Sequence, residues 1–402
     1  MEFMTYKDIL CDANNLYKAY LASVKTSDWK ESTQRFKLDF LRGIFRIRDN
    51  LVNQTLKNGA TSEFILHEHG KVRPVTSLPV EDRIIRHVLC DEVLLPKVRS
   101  KIIYDNGASI KGRGISFQRK RFEVHLRKYY KEYGKEGWII FGDFKKFYDN
   151  IDHELAIREL LTLVDNDPYV EWLLNVIFDA FKIDVSYMSE EECAECFYGV
   201  FDKLKYRDYT NNTKLLTGKK FMPKSVNIGD QLSQIIGIFY PHHIDNYVKY
   251  VEAQKFYGRY MDDWYVMNPS KEKLLDILEN IKRIADRLKI HISDKKTKIV
   301  KIGNTVTYLQ VKYTLKEDGK IIKRIKSEKV TAFRRKLRKL SVKVQNGDVP
   351  YENIENMFKS WMGSFYKLMT RKQREGLISL YETLFNKTIT IINKKMVITD
   401  LE

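Results

Sequence analysis

Apolar and polar positions along the chain change period several times, and these changes mark its elements. From Ser27 to Asn58 apolar residues recur at helical spacing, which predicts one long helix capped by Ser27 and ended by Asn58-Gly59. FILHEHGKVRPVTSLP then reads as two extended runs turned at His69-Gly70, the second carrying Lys71 and Arg73. DRIIRHVLCDEVLL predicts a helix stopped by Pro96. WIIFGDF, at 138–144, is a short apolar run of β type, and ELAIRELLTL and EWLLNVIFDAF after it have the helical period. The polar stretch around 184–222, with SEEECAEC and RDYTNNTKLLTGKK, predicts an insertion or long loop. KFYGRYMDDWYVMN reads as two short strands joined by a tight acidic turn. Leu274, Ile277, Leu278, Ile281, Ile284, Ala285 and Leu288 mark one face of an amphipathic helix. Helical patterns return in YENIENMFKSWMGSFYKLM and REGLISLYETLF. A strand–helix region, a hairpin and a helix in succession make an α+β pattern, not a doubly wound one.

Composition narrows the class. The 402 residues hold 71 Lys+Arg against 53 Asp+Glu, a formal charge of +18, with 43% hydrophobic and 31% charged residues. Those values describe a globular protein with a core and favour a polyanionic partner. No run of about 18 apolar residues occurs, which excludes a membrane-spanning helix. The opening MEFMTYKDILCDANNLYKAY has early acids and no apolar signal core, so a cytoplasmic location is expected. Four cysteines (11, 90, 193 and 196) make no disulfide framework. The segment IIKRIKSEKVTAFRRKLRKL holds nine Lys/Arg and a single Glu. Residues 316–402 therefore read as a separate basic, helical lobe. Lys323, Arg324, Arg334, Arg335, Arg338 and Lys339 in it are candidates for contact with a nucleic-acid backbone.

The sharpest chemistry sits at Tyr260-Met261-Asp262-Asp263, between two hydrophobic strands. Adjacent carboxylates at a hairpin tip repel each other, and a divalent cation relieves that repulsion. Asp143, at the end of WIIFGDF, is the partner carboxylate. Three carboxylates from adjacent strands can hold two Mg²⁺ (or Mn²⁺) about 3.5–4 Å apart, one activating a 3′-hydroxyl and the other stabilising departing pyrophosphate. A solvated Asp-Asp turn is the alternative; the aromatic flanks, the strand on each side and the upstream aspartate favour metal.

These residues carry a resemblance. YMDD in a hairpin, after DFKKFYDNIDH, resembles the palm of reverse transcriptases. GKVRPVTSLPVEDRIIRHVL and NGASIKGRGISFQRKR look like the two fingers motifs, NIGDQLSQIIGIFYP like the palm motif supporting template and nucleotide, and HISDKKTKIV like the Lys-bearing palm motif. TYLQVKY sits where the family has its primer grip; Tyr308, Leu309 and Gln310 read as an ordinary strand by composition. The resemblance covers roughly residues 60–315, in the family's motif order. It implies a right-hand polymerase: N-terminal helices and fingers at 1–135, palm at 136–315 with the insertion around 184–222, and a helical thumb at 316–402.

Residue by residue, the resemblance implies that Asp143, Asp262 and Asp263 are the metal-binding triad. Tyr148, five residues after Asp143, would block a ribose 2′-hydroxyl; a core aromatic is its alternative. Lys71 and Arg73 would hold the triphosphate, and Lys111 and Arg113 would bind either the triphosphate or backbone phosphates. Lys296 would be a general acid for pyrophosphate, with Lys295 and Lys298 competing for the role. Gln234, after Gly229, would contact the template base. Cys193 and Cys196 have metal-type spacing without a second ligand pair nearby. His242-His243 lacks nearby acidic partners in the sequence and reads as helix surface or core. Asp149 and Asp152 read as polar caps of the following helix.

The expected activity is RNA-directed DNA polymerisation on an associated structured RNA, yielding DNA from dNTPs. With no segment left for an RNase H, integrase or endonuclease, a bacterial retroelement- or defence-associated enzyme fits best. The Gly-x-x-x-Ser-Gln pattern at 229–234 is similar to abortive-infection and diversity-generating types. An antiphage role is preferred; a diversity-generating retroelement or retron enzyme, an RNA-directed RNA polymerase and a non-catalytic RNA-binding scaffold remain alternatives, and self-association is open.

Overall fold

The computed structural model describes residues 4–68, 71–205, 216–392 and 395–400. The chain divides into two compact units, Met1–His125 with Trp138–Ile299, and Leu126–Gly137 with Val300–Glu402. Helices and strands are mixed in an α+β arrangement. Among the described residues no helix is long and apolar enough to cross a membrane.

At the centre of the first unit, the strand Trp138–Gly142 pairs antiparallel with Asp263–Asn268, which pairs in turn with Tyr257–Tyr260. These strands are nearly continuous apolar runs because both of their faces are covered. Val266 joins a core cluster with Leu274, Ile277 and Ile281 of the helix Lys271–Arg287. Its neighbour Tyr265 points the other way and meets Phe122 edge-on, ring centroids 4.8 Å apart. The expected apolar helix face is buried at Leu274, Ile277, Ile281, Ile284, Ala285 and Leu288, with Leu278 partly so.

Several elements differ from the sequence expectation. The helix expected from Ser27 to Asn58 is two, Glu31–Leu38 and Phe40–Val52, parted at Asp39 (φ −139°, ψ 44°). The break lets the Phe36 ring lie on Gly43, where a Cβ would sit 2.6 Å from it. Ser27 caps neither helix; its hydroxyl accepts from Arg83 at 2.7 Å. Pro96 does not stop a helix either. It sits inside a helical run continuous from Val80 to Lys101, directly after a π-helical segment, Leu89–Leu94, whose wider turn accommodates the proline. TYLQVKY is a hairpin rather than one strand: Val306–Tyr308 and Val311–Leu315 are joined by Leu309 and Gln310, both left-handed (φ 42° and 70°). The turn expected at His69-Gly70 lies outside the described residues; its strands, Ser62–Glu68 and Lys71–Ser77, pair antiparallel. Within 184–222 the described residues form the helix Glu190–Tyr198 and a short strand pair, with a core of their own at Val185, Met188, Cys196, Phe201 and Met222; 206–215 lie outside the description.

The second unit joins the strands Val306–Tyr308, Val311–Leu315 and Ile321–Ile325 to the helices Ser327–Gln345, Tyr351–Phe365 and Arg371–Phe385. The division expected at 315/316 falls inside this unit, because Val311–Leu315 pairs with Ile321–Ile325 across it. Phe333 stacks on Trp361 with ring centroids 4.0 Å apart, beside a core of Leu337, Phe358, Met362, Leu377 and Tyr381.

One buried ion pair ties two helices of the first unit. Arg86, in Val80–Val88, donates from Nε to Asp230 Oδ2 at 2.9 Å, and both side chains are at most 1% exposed. Asp230 also caps Gln231–Phe239, accepting from the Leu232 N–H at 2.8 Å. Arg86→Met leaves the Asp230 carboxylate buried without its counter-charge. We expect that variant to lose about 3–5 kcal/mol of stability in a urea titration, and Arg335→Ala, on an exposed helix face, to stay within about 0.5 kcal/mol. Equal midpoints for the two would exclude this pair as a support of the fold.

Candidate active site

Gly142 pairs with Trp264 across the central strands, so one further step in the same register brings Asp143 opposite Asp263. The glycine is required there: a Cβ would lie 2.0 Å from the buried Trp264 indole. Tyr260 pairs with Asp263, leaving a two-residue turn of Met261 and Asp262, with Met261 left-handed at φ 55°. All three sequence-predicted aspartates thus lie at one end of one sheet.

Lys296 reports their convergence. Its Nζ lies 2.6 Å from Asp143 Oδ1. Partial burial pulls the Lys296 pKa down, but the Asp143 hydrogen bond and the charges of Asp143, Asp262 and Asp263 outweigh it and hold the ammonium above its ordinary value. Lys296 is the one of the three competing lysines with a bond to Asp143 here. Its turn is set by the N–H groups of Lys296 and Thr297, which both donate to the Ser293 carbonyl. The carboxylate oxygens are not all within 4.8 Å of one another; among the described residues the trio with that spacing is Glu159, His242 and His243. As a donor set, three carboxylates at the ends of facing strands suit a hard divalent cation that draws further oxygens from water and substrate.

Arg259 is the residue the sequence reading missed. Its side chain is fully buried and grips Asp245 bidentately, Nε to Oδ1 at 2.8 Å and the second terminal nitrogen to Oδ2 at 2.7 Å. It also donates to the carbonyls of Gly237 (3.1 Å), Ile238 (2.7 Å) and Met261 (3.0 Å). One guanidinium therefore fixes the hairpin turn to the helix Gln231–Phe239. The available signal was an arginine inside an otherwise apolar strand, a charge that has to find a partner when buried.

Tyr148 packs partly into the core, with its hydroxyl 3.7 Å from Met261 Sδ. Gly237 makes room for that contact, since a Cβ there would fall 2.7 Å from the Tyr148 hydroxyl and 3.0 Å from Met261 Sδ. Burial, then the Asp262 charge, pushes the Tyr148 phenol up to about 12, so it remains protonated.

The remaining candidates are less closely gathered. Gln234 is exposed on its helix and accepts from the Ser109 hydroxyl at 3.2 Å. Arg113 donates to the Asn106 carbonyl at 3.0 Å and lies over the Tyr104 and Phe117 rings, so part of its function is to hold its own loop. Arg73 is half-buried opposite Leu66. Lys71 begins that strand, and its side chain lies outside the description. The same strand reaches Gly229 (φ 102°), whose Cβ position is 3.4 Å from Val75 Cγ1. Asp152 caps its helix as expected, accepting from the Leu155 N–H at 3.0 Å. Asp149 does not: it accepts from the Lys203 N–H at 3.2 Å, and burial pushes its carboxyl up to about 6.

In the second unit, Arg335, Arg338 and Lys339 are exposed on the helix Ser327–Gln345, and Lys323 and Arg324 lie on the strand Ile321–Ile325. Arg334 departs from this basic face. It is half-buried against Gly376, where a Cβ would come 2.7 Å from its guanidinium.

The family model for reverse transcriptase (RNA-dependent DNA polymerase) matches residues 57–314. No curated protein matches the chain.

The geometry around the aspartates makes Gly142 a test position. Gly142→Ala is expected to cost about 1–3 kcal/mol by overpacking, with a shift in tryptophan fluorescence. The same substitution in a Trp264→Leu background should cost much less, because the obstructing indole is gone. An equal cost in both backgrounds would show that the contact with Trp264 is not what demands glycine.

Proposed function

The chain belongs to the reverse transcriptase family and is an RNA-directed DNA polymerase, and from that premise we propose that Asp143, Asp262 and Asp263 hold two Mg²⁺ or Mn²⁺ ions for nucleotidyl transfer. The observation that carries this reading is the strand register, which sets Asp143 opposite Asp263 with Asp262 in the adjoining turn, while Lys296 Nζ lies 2.6 Å from Asp143 Oδ1. Bound ions supply activation of the primer 3′-hydroxyl and neutralisation of charge on the departing pyrophosphate.

The chain's own groups do the rest. Lys296 keeps a proton at Nζ beside the triad and delivers it to the leaving pyrophosphate. Tyr148, held between Gly237 and Met261, fills the space a ribose 2′-hydroxyl would need. Lys71, Arg73 and Arg113 neutralise the triphosphate, and exposed Gln234 meets the template side. In this reading the N-terminal region supplies fingers, the central sheet a palm, and residues 316–402 a thumb whose basic residues (Lys323, Arg324, Arg335, Arg338, Lys339) lie along a nucleic-acid backbone. The template we propose is a dedicated structured RNA, copied in the cytoplasm in an antiphage role. Sequencing the nucleic acid that copurifies with the protein, before and after dNTPs are added, tests that part.

Replacing Asp262 and Asp263 together by Ala should abolish incorporation while the melting temperature stays near wild type, since the turn is not core. Undiminished synthesis by that variant would sink the two-metal assignment. Tyr148→Ala should raise rNTP use relative to dNTP use, measured as the ratio of kcat/KM values. An unchanged ratio would leave Tyr148 as a packing residue alone.

A further inference from the structure

The helix His153–Leu161 and the short helix His242–Asn246 bring Glu159, His242 and His243 together, each offering a ligand atom within 4.8 Å of the others. The nearest acid in the sequence, Asp245, is committed to Arg259, and His243 is met instead by an acid 84 residues upstream: His243 Nε2 is 2.9 Å from Glu159 Oε2. The His242 ring is fixed twice. It stacks flat on Phe239, with centroids 4.3 Å apart, and its Nδ1 is 2.9 Å from the Phe239 carbonyl. A carbonyl only accepts, so Nδ1 carries the proton and Nε2 keeps its lone pair. A ring oriented through a backbone carbonyl, with its other nitrogen open, is the usual setting of a metal-ligating histidine. An ion pair with Glu159 accounts for His243 alone; it does not account for a second imidazole whose centroid is 4.0 Å from the first.

We propose that Glu159, His242 and His243 form a binding site for Zn²⁺ or a similar borderline cation, distinct from the three aspartates. Two imidazoles and one carboxylate are a ligand set that holds Zn²⁺ with a fourth position open, whereas Mg²⁺ prefers oxygen ligands throughout. Beside the set lies a cavity of about 560 Å³, lined by Arg158, Tyr247, Tyr250 and Arg287 together with Glu159 and His243. It leaves the fourth position to water or, given the two arginines, a small anion. Binding replaces the hydrogen bond between His243 and Glu159, and the Nε2 proton moves to Nδ1 or to solvent. The site braces the helix that follows the Asp143 strand against the helix that carries Asp245, the partner of Arg259.

The test uses the full chain with Asp262→Ala and Asp263→Ala, so that binding is read with the other carboxylate site disabled and independently of polymerisation. Chelator-treated protein is titrated with Co²⁺, which is then displaced by Zn²⁺, with Mg²⁺ in excess. The expected result is one equivalent of Co²⁺ with a visible d–d absorption, displaced by Zn²⁺, and a melting temperature that Zn²⁺ raises and Mg²⁺ does not. His242→Ala with His243→Ala, and separately Glu159→Gln, should weaken binding by about tenfold or more. Cys193→Ser with Cys196→Ser should leave it unchanged. No absorption band, undiminished binding in the histidine variant, or a band that is lost with the cysteines would each overturn the proposal.

Discussion

A guanidinium held out of water is tolerable only when its donors are matched, and much of the first unit is arranged around meeting that demand at Arg259. The carboxylate of Asp245 takes two of its N–H bonds, and carbonyls of Gly237, Ile238 and Met261 take the others. Tyr257 adds its hydroxyl to Asp245 at 2.6 Å. The backbone of Arg259 is engaged as well, its N–H donating to the Asp105 carbonyl at 3.1 Å. Asp105 in turn gathers Arg121, His125 and Lys249 around its side chain. Removing one partner from such a set exposes the rest to an unmet charge. The position of the acidic turn is thus decided by electrostatic satisfaction inside the protein.

That logic explains what could and could not be read from the chain. The aspartates stand out in the sequence because Asp143 and Asp263 adjoin short apolar strands and Asp262 sits in the two-residue turn that sets their register. Arg259 and Asp245, 14 residues apart, and Glu159 and His243, 84 apart, do not, since nothing in a local window announces a partner on another element. Local rules also gave way to packing. Asp39 interrupts a good helical pattern so that Phe36 can cover Gly43. Leu309 and Gln310 take left-handed backbone without the glycine or asparagine that usually signals such a turn. Pro96 stays within a continuous helical run because the π-helical segment just before it widens the turn that its ring would otherwise crowd.

The basic lobe shows the same division between pattern and placement. Nine cations in a run of 20 residues signal a partner of opposite charge, but a run on a helix is distributed around its axis. Arg335, Arg338 and Lys339 face solvent, while Arg334 turns toward the third helix of its own unit. Charge density along the sequence therefore overstates the charge that any one surface presents.

The division of the chain has a consequence for how it is made. The second unit takes residues 126–137 and then nothing until Val300. A ribosome delivers those 12 residues long before their partners. Domains emerging from synthesis tend to close N-terminal first, so the early segment must wait while 162 residues of the other unit, Trp138–Ile299, are completed. A nascent chain therefore holds the acidic turn before the strands and helices after Val300 that residues 126–137 join.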